Sequence, residues 1–132
     1  MNTLEILWIV GTLGGGVGLV TILLTKREIG NPAIAAGLAV LFAAYTAFQV
    51  SREGLISFFL NHTQNLTGVQ VWWDLIICVV IILFLVAPRA RAVGMNVPVW
   101  ALLACCTASI ALLAMLARLF VLERAAADKT QG

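Results

Sequence analysis

Asp74 and Arg118 are the side chains that most plainly call for chemistry, because each interrupts an otherwise apolar stretch of this sequence. An ionisable group among apolar neighbours needs an opposite charge, a hydrated cavity or a ligand, and is treated as a site with a named partner. Asp74 stands within Val71-Trp72-Trp73-Asp74-Leu75, and Arg118 stands between Ala114 and Leu122. The expectation is an ion pair between them, which would satisfy both charges and pin two helices together. Carboxylic acids in a helical bundle can also protonate an alkene or epoxide. Asp74 and Glu5 are therefore the candidate catalytic groups, with an isoprenoid or carotenoid as the substrate class.

His62, Trp72 and Trp73 form a second group, read as candidates for holding a cofactor or ligand such as a polyene or quinone. The tryptophans are otherwise expected at headgroup level in an aromatic belt. His62 is the only histidine, so bis-histidine haem and multi-histidine metal sites are excluded, and no metal is expected. Cys78, Cys105 and Cys106 lie in apolar segments without C-x-x-C spacing and are read as small packing residues. No particular cofactor follows from these residues.

The elements that must position them are four apolar runs, at about 4–24, 32–50, 69–87 and 98–122. Each has the roughly 20 residues that a helix needs to cross a hydrocarbon core. The composition agrees: 62% hydrophobic, 11% charged and a mean hydropathy of +1.05 lie outside the range of a soluble domain. A net charge of +2 without a basic, aromatic-laced patch argues against nucleic acid as a partner. The expected fold is all-α, a single integral membrane domain over residues 1–132. It is a four-helix bundle of up-down-up-down topology with a short polar tail at 123–132. Residues 1–5 carry no Lys or Arg and no A-x-A-like site follows the first run, so that run is expected to stay as a helix rather than be removed as a signal peptide.

The joints carry turn chemistry. Thr25 to Glu28 is polar, and Gly30, Asn31 and Pro32 lead into the second run, predicting a tight hairpin. The second joint, 51–68, is longer and holds an apolar segment at 55–60 that is too short to span, expected as an interfacial or re-entrant turn. The third, 88–97, holds Arg89, Arg91 and Gly94 and leads into Pro98, predicting another short hairpin. Lys26, Arg27, Arg89 and Arg91 then fall on one side, with Arg52, Arg118, Arg124 and Lys129 on the other. Arg118 lies inside a run, and Arg124 and Lys129 are interleaved with acids. The orientation expected is therefore short hairpins in the cytoplasm and both termini outside.

Lipid offers helices no hydrophobic incentive to associate, so close approach must come from small residues. Gly11 with Gly15 and Gly14 with Gly18 make two overlapping GxxxG pairs in the first run. They suit intrachain packing, or docking of another membrane subunit or a flat lipid. Alanines 39, 43 and 47 make a similar row in the second run, and Ala101, Cys105 and Ser109 in the fourth.

Several of these features together carry a family resemblance. They are Glu53-Gly54 followed by Phe58 and Phe59, the Asn-rich turn before Trp72-Trp73-Asp74-Leu75, the Arg-x-x-Gly-Met segment from Arg91 to Met95, and the charged exit at Leu122-Glu123-Arg124. In these the chain resembles small bacterial four-helix membrane proteins of the domain of unknown function 2834 family, over slightly more than half of its length. The resemblance implies a multi-pass location in a bacterial inner membrane and supplies no reaction. Small multidrug transporters look like chains with a glutamate deep in the first helix, whereas Glu5 lies at its edge. The reading is a non-enzymatic small subunit or lipid-binding accessory factor, its partners being membrane lipid, an isoprenoid-type ligand or another membrane subunit. The alternatives are a membrane enzyme using Asp74 or Glu5, and a small-solute transporter.

Overall fold

The computed structural model describes residues 3–24 and 29–131, all of whose regular structure is helical. In chain order the helices are α1 (Thr3–Leu24), α2 (Pro32–Glu53), α3 (Leu55–Asn61), α4 (Leu66–Ala92), α5 (Val97–Thr107) and α6 (Ser109–Gln131). Helices α1, α2 and α4 are long and apolar enough to cross a membrane, which makes this a membrane protein.

Asparagine starts three of these helices. The side chains of Asn31, Asn65 and Asn96 accept hydrogen bonds from the N–H groups of Ala33, Gly68 and Val99, capping α2, α4 and α5. Pro32 and Pro98 sit in the first turns of α2 and α5, where no intrahelical N–H bond is lost. Gly54, at φ 78° and ψ 159°, separates α2 from α3 in a conformation open essentially to glycine. Gly94, at φ 75°, ends α4, and Met95 N–H reaches back to the Ala90 carbonyl at 2.9 Å in a Schellman-type closure. Pro88 does not stop α4, contrary to the boundary expected at residue 87, because the helix runs on to Ala92 with Ala90 fully buried.

The largest departure from expectation lies in the fourth apolar run. It is not one span: Ala108 breaks it at φ 45°, ψ −114°, and the chain turns back on itself. Val97 of α5 shares a buried cluster with Met115 and Leu119 of α6, and Ala104 shares another with Ala111 and Leu112. In a continuous helix Val97 and Leu119 would be about 33 Å apart. Helices α5 and α6 are thus an acute hairpin, and α5, about 16 Å long, is only about half as long as a hydrocarbon core is thick. Of the four expected spans, three are long helices, α1, α2 and α4, and the fourth run is a hairpin whose second arm ends on the side where the first arm began.

This reversal makes α6 parallel to α4: Val79, Ile82 and Leu83 lie level with Ala111 and Leu112, and Val86 and Ala90 with Met115 and Leu119. Helix α6 is the hub, with α2 antiparallel along one flank, α4 and α5 on the other, and α1 resting mainly on α2. Ala35 and Ala39 are the buried alanines of α2. The last residues of α6 therefore stand at the end that holds the α4–α5 turn and the start of α2, opposite the first residues of α1. The start of α1 and the end of α6 thus lie at opposite ends of the described helices.

Candidate functional site

The expected Asp74–Arg118 pair is not formed. Both residues are exposed, and neither has an ion-pair or hydrogen-bond partner among the described residues. The physical reason is the hairpin. Arg118, next to Leu119, lies level with Arg89, fifteen residues and about 22 Å along α4 from Asp74, because α6 runs parallel to α4 rather than antiparallel. Glu5 is exposed at the start of α1 and does not line the cleft described below.

His62 and Trp72 do come together. The short α3 folds its Phe58, Phe59 and His62 against Trp72 of α4, with ring centroids 5.4 Å apart for His62 and Trp72 and 6.0 Å for Phe59 and Trp72. Nδ1 of His62 donates to the Phe58 carbonyl at 2.6 Å, which fixes the ring. Gly68 makes the corner possible, since a Cβ there would lie 2.8 Å from the Asn61 carbonyl oxygen. Trp73 points elsewhere and is 64% exposed. All three cysteines are exposed and free rather than packed inside, and no group of three or more potential metal ligands occurs among the described residues.

The opposite end carries a polar layer that sequence reading placed on two different sides. Arg89 of α4 grips Glu123 of α6 with two bonds, Nε to Oε1 at 2.8 Å and Nη2 to Oε2 at 2.7 Å. The Arg89 guanidinium lies 5.9 Å from the Phe120 ring centroid. Arg124 donates to the Gly30 carbonyl at 2.9 Å, and Gly30 lies so close to Phe120 that a Cβ there would collide with the ring. Recognising this layer from sequence required the reversal at Ala108, whose one visible trace is the pair of hydroxyls, Thr107 and Ser109, in the middle of an apolar run.

The glycines of α1 divide into two sets. Positions 14 and 18 face α2, where an added Cβ would meet Leu41 at 3.5 Å and Leu38 at 3.2 Å respectively. Positions 11 and 15 would meet nothing within 4 Å. They line a lateral cleft of about 960 Å³ between α1, α2 and the tip of the α5–α6 hairpin. Its walls are Leu7 and Trp8 of α1, Leu41, Phe42, Tyr45 and Phe48 of α2, and Ser109 and Leu113 of α6. Phe42 and Tyr45 stack with centroids 6.2 Å apart. Thr12 spends its hydroxyl on the Trp8 carbonyl at 2.9 Å, whereas the hydroxyls of Tyr45 and Ser109 have no protein partner among the described residues. The cleft can therefore take a long apolar molecule with a single hydrogen-bonding group. No carboxylate or histidine lines it, so its lining has no acid to offer an alkene.

Comparison with protein-family models, with curated proteins and with solved structures finds no match to this chain.

Proposed function

We propose that this protein is a non-enzymatic membrane subunit that holds a lipid-like chain, of isoprenoid or acyl type, in the cleft between α1 and α2. The observation that carries this reading is the cleft itself. Its volume of about 960 Å³ falls in the upper range of small-molecule sites, and its walls are almost wholly apolar with two unpartnered hydroxyls. The small residues that would let α1 close on a neighbour instead leave room at Gly11 and Gly15. The family resemblance, the bacterial inner membrane and the place of an accessory subunit belong to this same proposal.

Orientation is part of it too. Arg89, Arg91, Arg118, Arg124 and Lys129 gather toward one end, and Lys26 and Arg27, outside the described residues, lie in the sequence between α1 and α2. Of the six described Lys and Arg, only Arg52 falls to the other end. The bias favours that basic end in the cytoplasm, with the C-terminus there and the start of α1 outside.

The test is ligand retention. Protein extracted from its native membrane and washed in mild detergent is expected to carry a long-chain apolar molecule in native mass spectra. Gly15→Phe, which fills the cleft from α1, should lower the retained fraction at least about tenfold, a change of about 1.4 kcal/mol. Equal retention by the variant, or an empty parent protein, would overturn the proposal.

A further inference from the structure

The arginines of α6 are not equivalent. Arg124 is committed to the Gly30 carbonyl, and Glu123 beside it is committed to Arg89. Arg118, six residues and about 9 Å closer to the membrane centre, has no partner among the described residues. It lines a crevice of about 470 Å³ on the outer surface between α2 and α6, remote from the α1 cleft. The rest of that crevice is apolar: Pro32, Ala33 and Ala36 from α2, and Ala117, Val121 and Leu122 from α6. Among the described residues no acidic side chain lines it, and none of them compensates the positive charge.

An unpaired cation just below the polar layer of a membrane protein is costly unless it reaches the interface and meets an anion there. The geometry points to an anionic phospholipid as that partner. Its phosphate would take the Arg118 guanidinium through paired N–H···O bonds, and the first part of an acyl chain would lie on the alanine floor between α2 and α6. Arg89 and Arg124 already have partners within the chain, and Arg91, which has none among the described residues, lies outside the crevice. A lipid seated here would also join α2 to the hub helix.

The experiment uses full-length protein in nanodiscs of phosphatidylcholine doped with a minority of phosphatidylglycerol, followed by native mass spectrometry of the lipids retained on release. The parent protein is expected to retain phosphatidylglycerol over phosphatidylcholine, and Arg118→Gln to lose that preference about tenfold. Arg91→Gln, an exposed arginine outside the crevice, should leave it unchanged. A second variant, Ala36→Leu, fills the crevice without touching the charge and should also reduce retention, which keeps the test valid if the arginine variant folds poorly. Undiminished preference in both variants would overturn the site, and so would an equal loss in Arg91→Gln, which would mean diffuse attraction to a basic surface. Inorganic phosphate that displaces the bound lipid as a free competitor at modest concentration would reassign the site to a soluble anion. Retention of the apolar molecule in the α1 cleft should be indifferent to Arg118→Gln, so the two proposals fail independently.

Discussion

Helices α1 and α6 teach opposite lessons about what holds a membrane protein together. Helix α1 is more apolar throughout, yet it lies almost bare: Leu13, Val17, Leu19, Ile22 and Leu23 are all more than half exposed. Helix α6 carries Arg118, Glu123, Arg124 and a charged last turn, yet it supplies Ala111, Leu112, Met115 and Leu119 to the core. In water the more apolar helix would be the buried one. In lipid apolarity brings no preference for protein over solvent, and what decides is close fit together with polar links to other elements. Helix α6 has both, through the hairpin with α5, the Arg89–Glu123 clamp and the Arg124–Gly30 bond. Helix α1 has Gly14 and Gly18 against α2 and an open cleft beside them.

The strongest way to break this contrast is a matched pair of truncations. Leu119→Ala, at a position with no exposure, should lower unfolding free energy in micelles by about 2–5 kcal/mol, whereas Leu13→Ala, at 64% exposure, should change it by less than about 0.5 kcal/mol. Comparable losses at the two sites would show that α1 is packed as firmly as α6.

A second test addresses the hairpin on which the standing of α6 depends. Ala108 holds a dihedral pair close to the first central position of a type II′ turn, which suits glycine. Ala108→Gly should therefore stabilise the protein by about 1 kcal/mol, relieving an L-residue at positive φ. In an unbroken transmembrane helix the same change would destabilise by about 1 kcal/mol. The sign of the shift in thermal midpoint separates the two architectures.

The smallest effect is expected at the clamp. Arg89→Gln, Glu123→Gln and the double variant should yield a coupling energy near 1 kcal/mol, since the arginine side chain is 44% exposed and its charge is partly screened. Full additivity would remove the clamp from the reasons why α6 is the hub.

Much of the fold was legible because hydropathy and turn chemistry act locally. The apolar runs, the Asn31-Pro32 start and a short non-spanning element near residues 55–60 all follow from neighbours in sequence. The reversal at Ala108 was not, because Cys105-Cys106-Thr107-Ala108-Ser109 contains neither glycine nor proline and the run around it is long enough to span. Every pairing inferred across that point inherited the error. Asp74 and Arg118 were matched by depth on a helix direction that does not exist, and Arg89 and Glu123 were assigned to different sides for the same reason. His62 and Trp72 meet because α3 and α4 are joined by a short corner, a proximity that sequence distance already implies. The cleft was hidden for another reason: a GxxxG row reports that backbones can approach and does not say which of its glycines will face a neighbour.

The half-depth hairpin also gives the molecule unequal girth. Near the basic end five helices, α1, α2, α4, α5 and α6, share the cross-section. Past the turn at Ala108 only α1, α2 and α4 continue, with α3 lying at the far end. Such a wedge occupies more area in one leaflet than in the other. It should therefore collect where the bilayer bends to expand the leaflet at the basic end, and many copies side by side would impose that bend on a flat membrane.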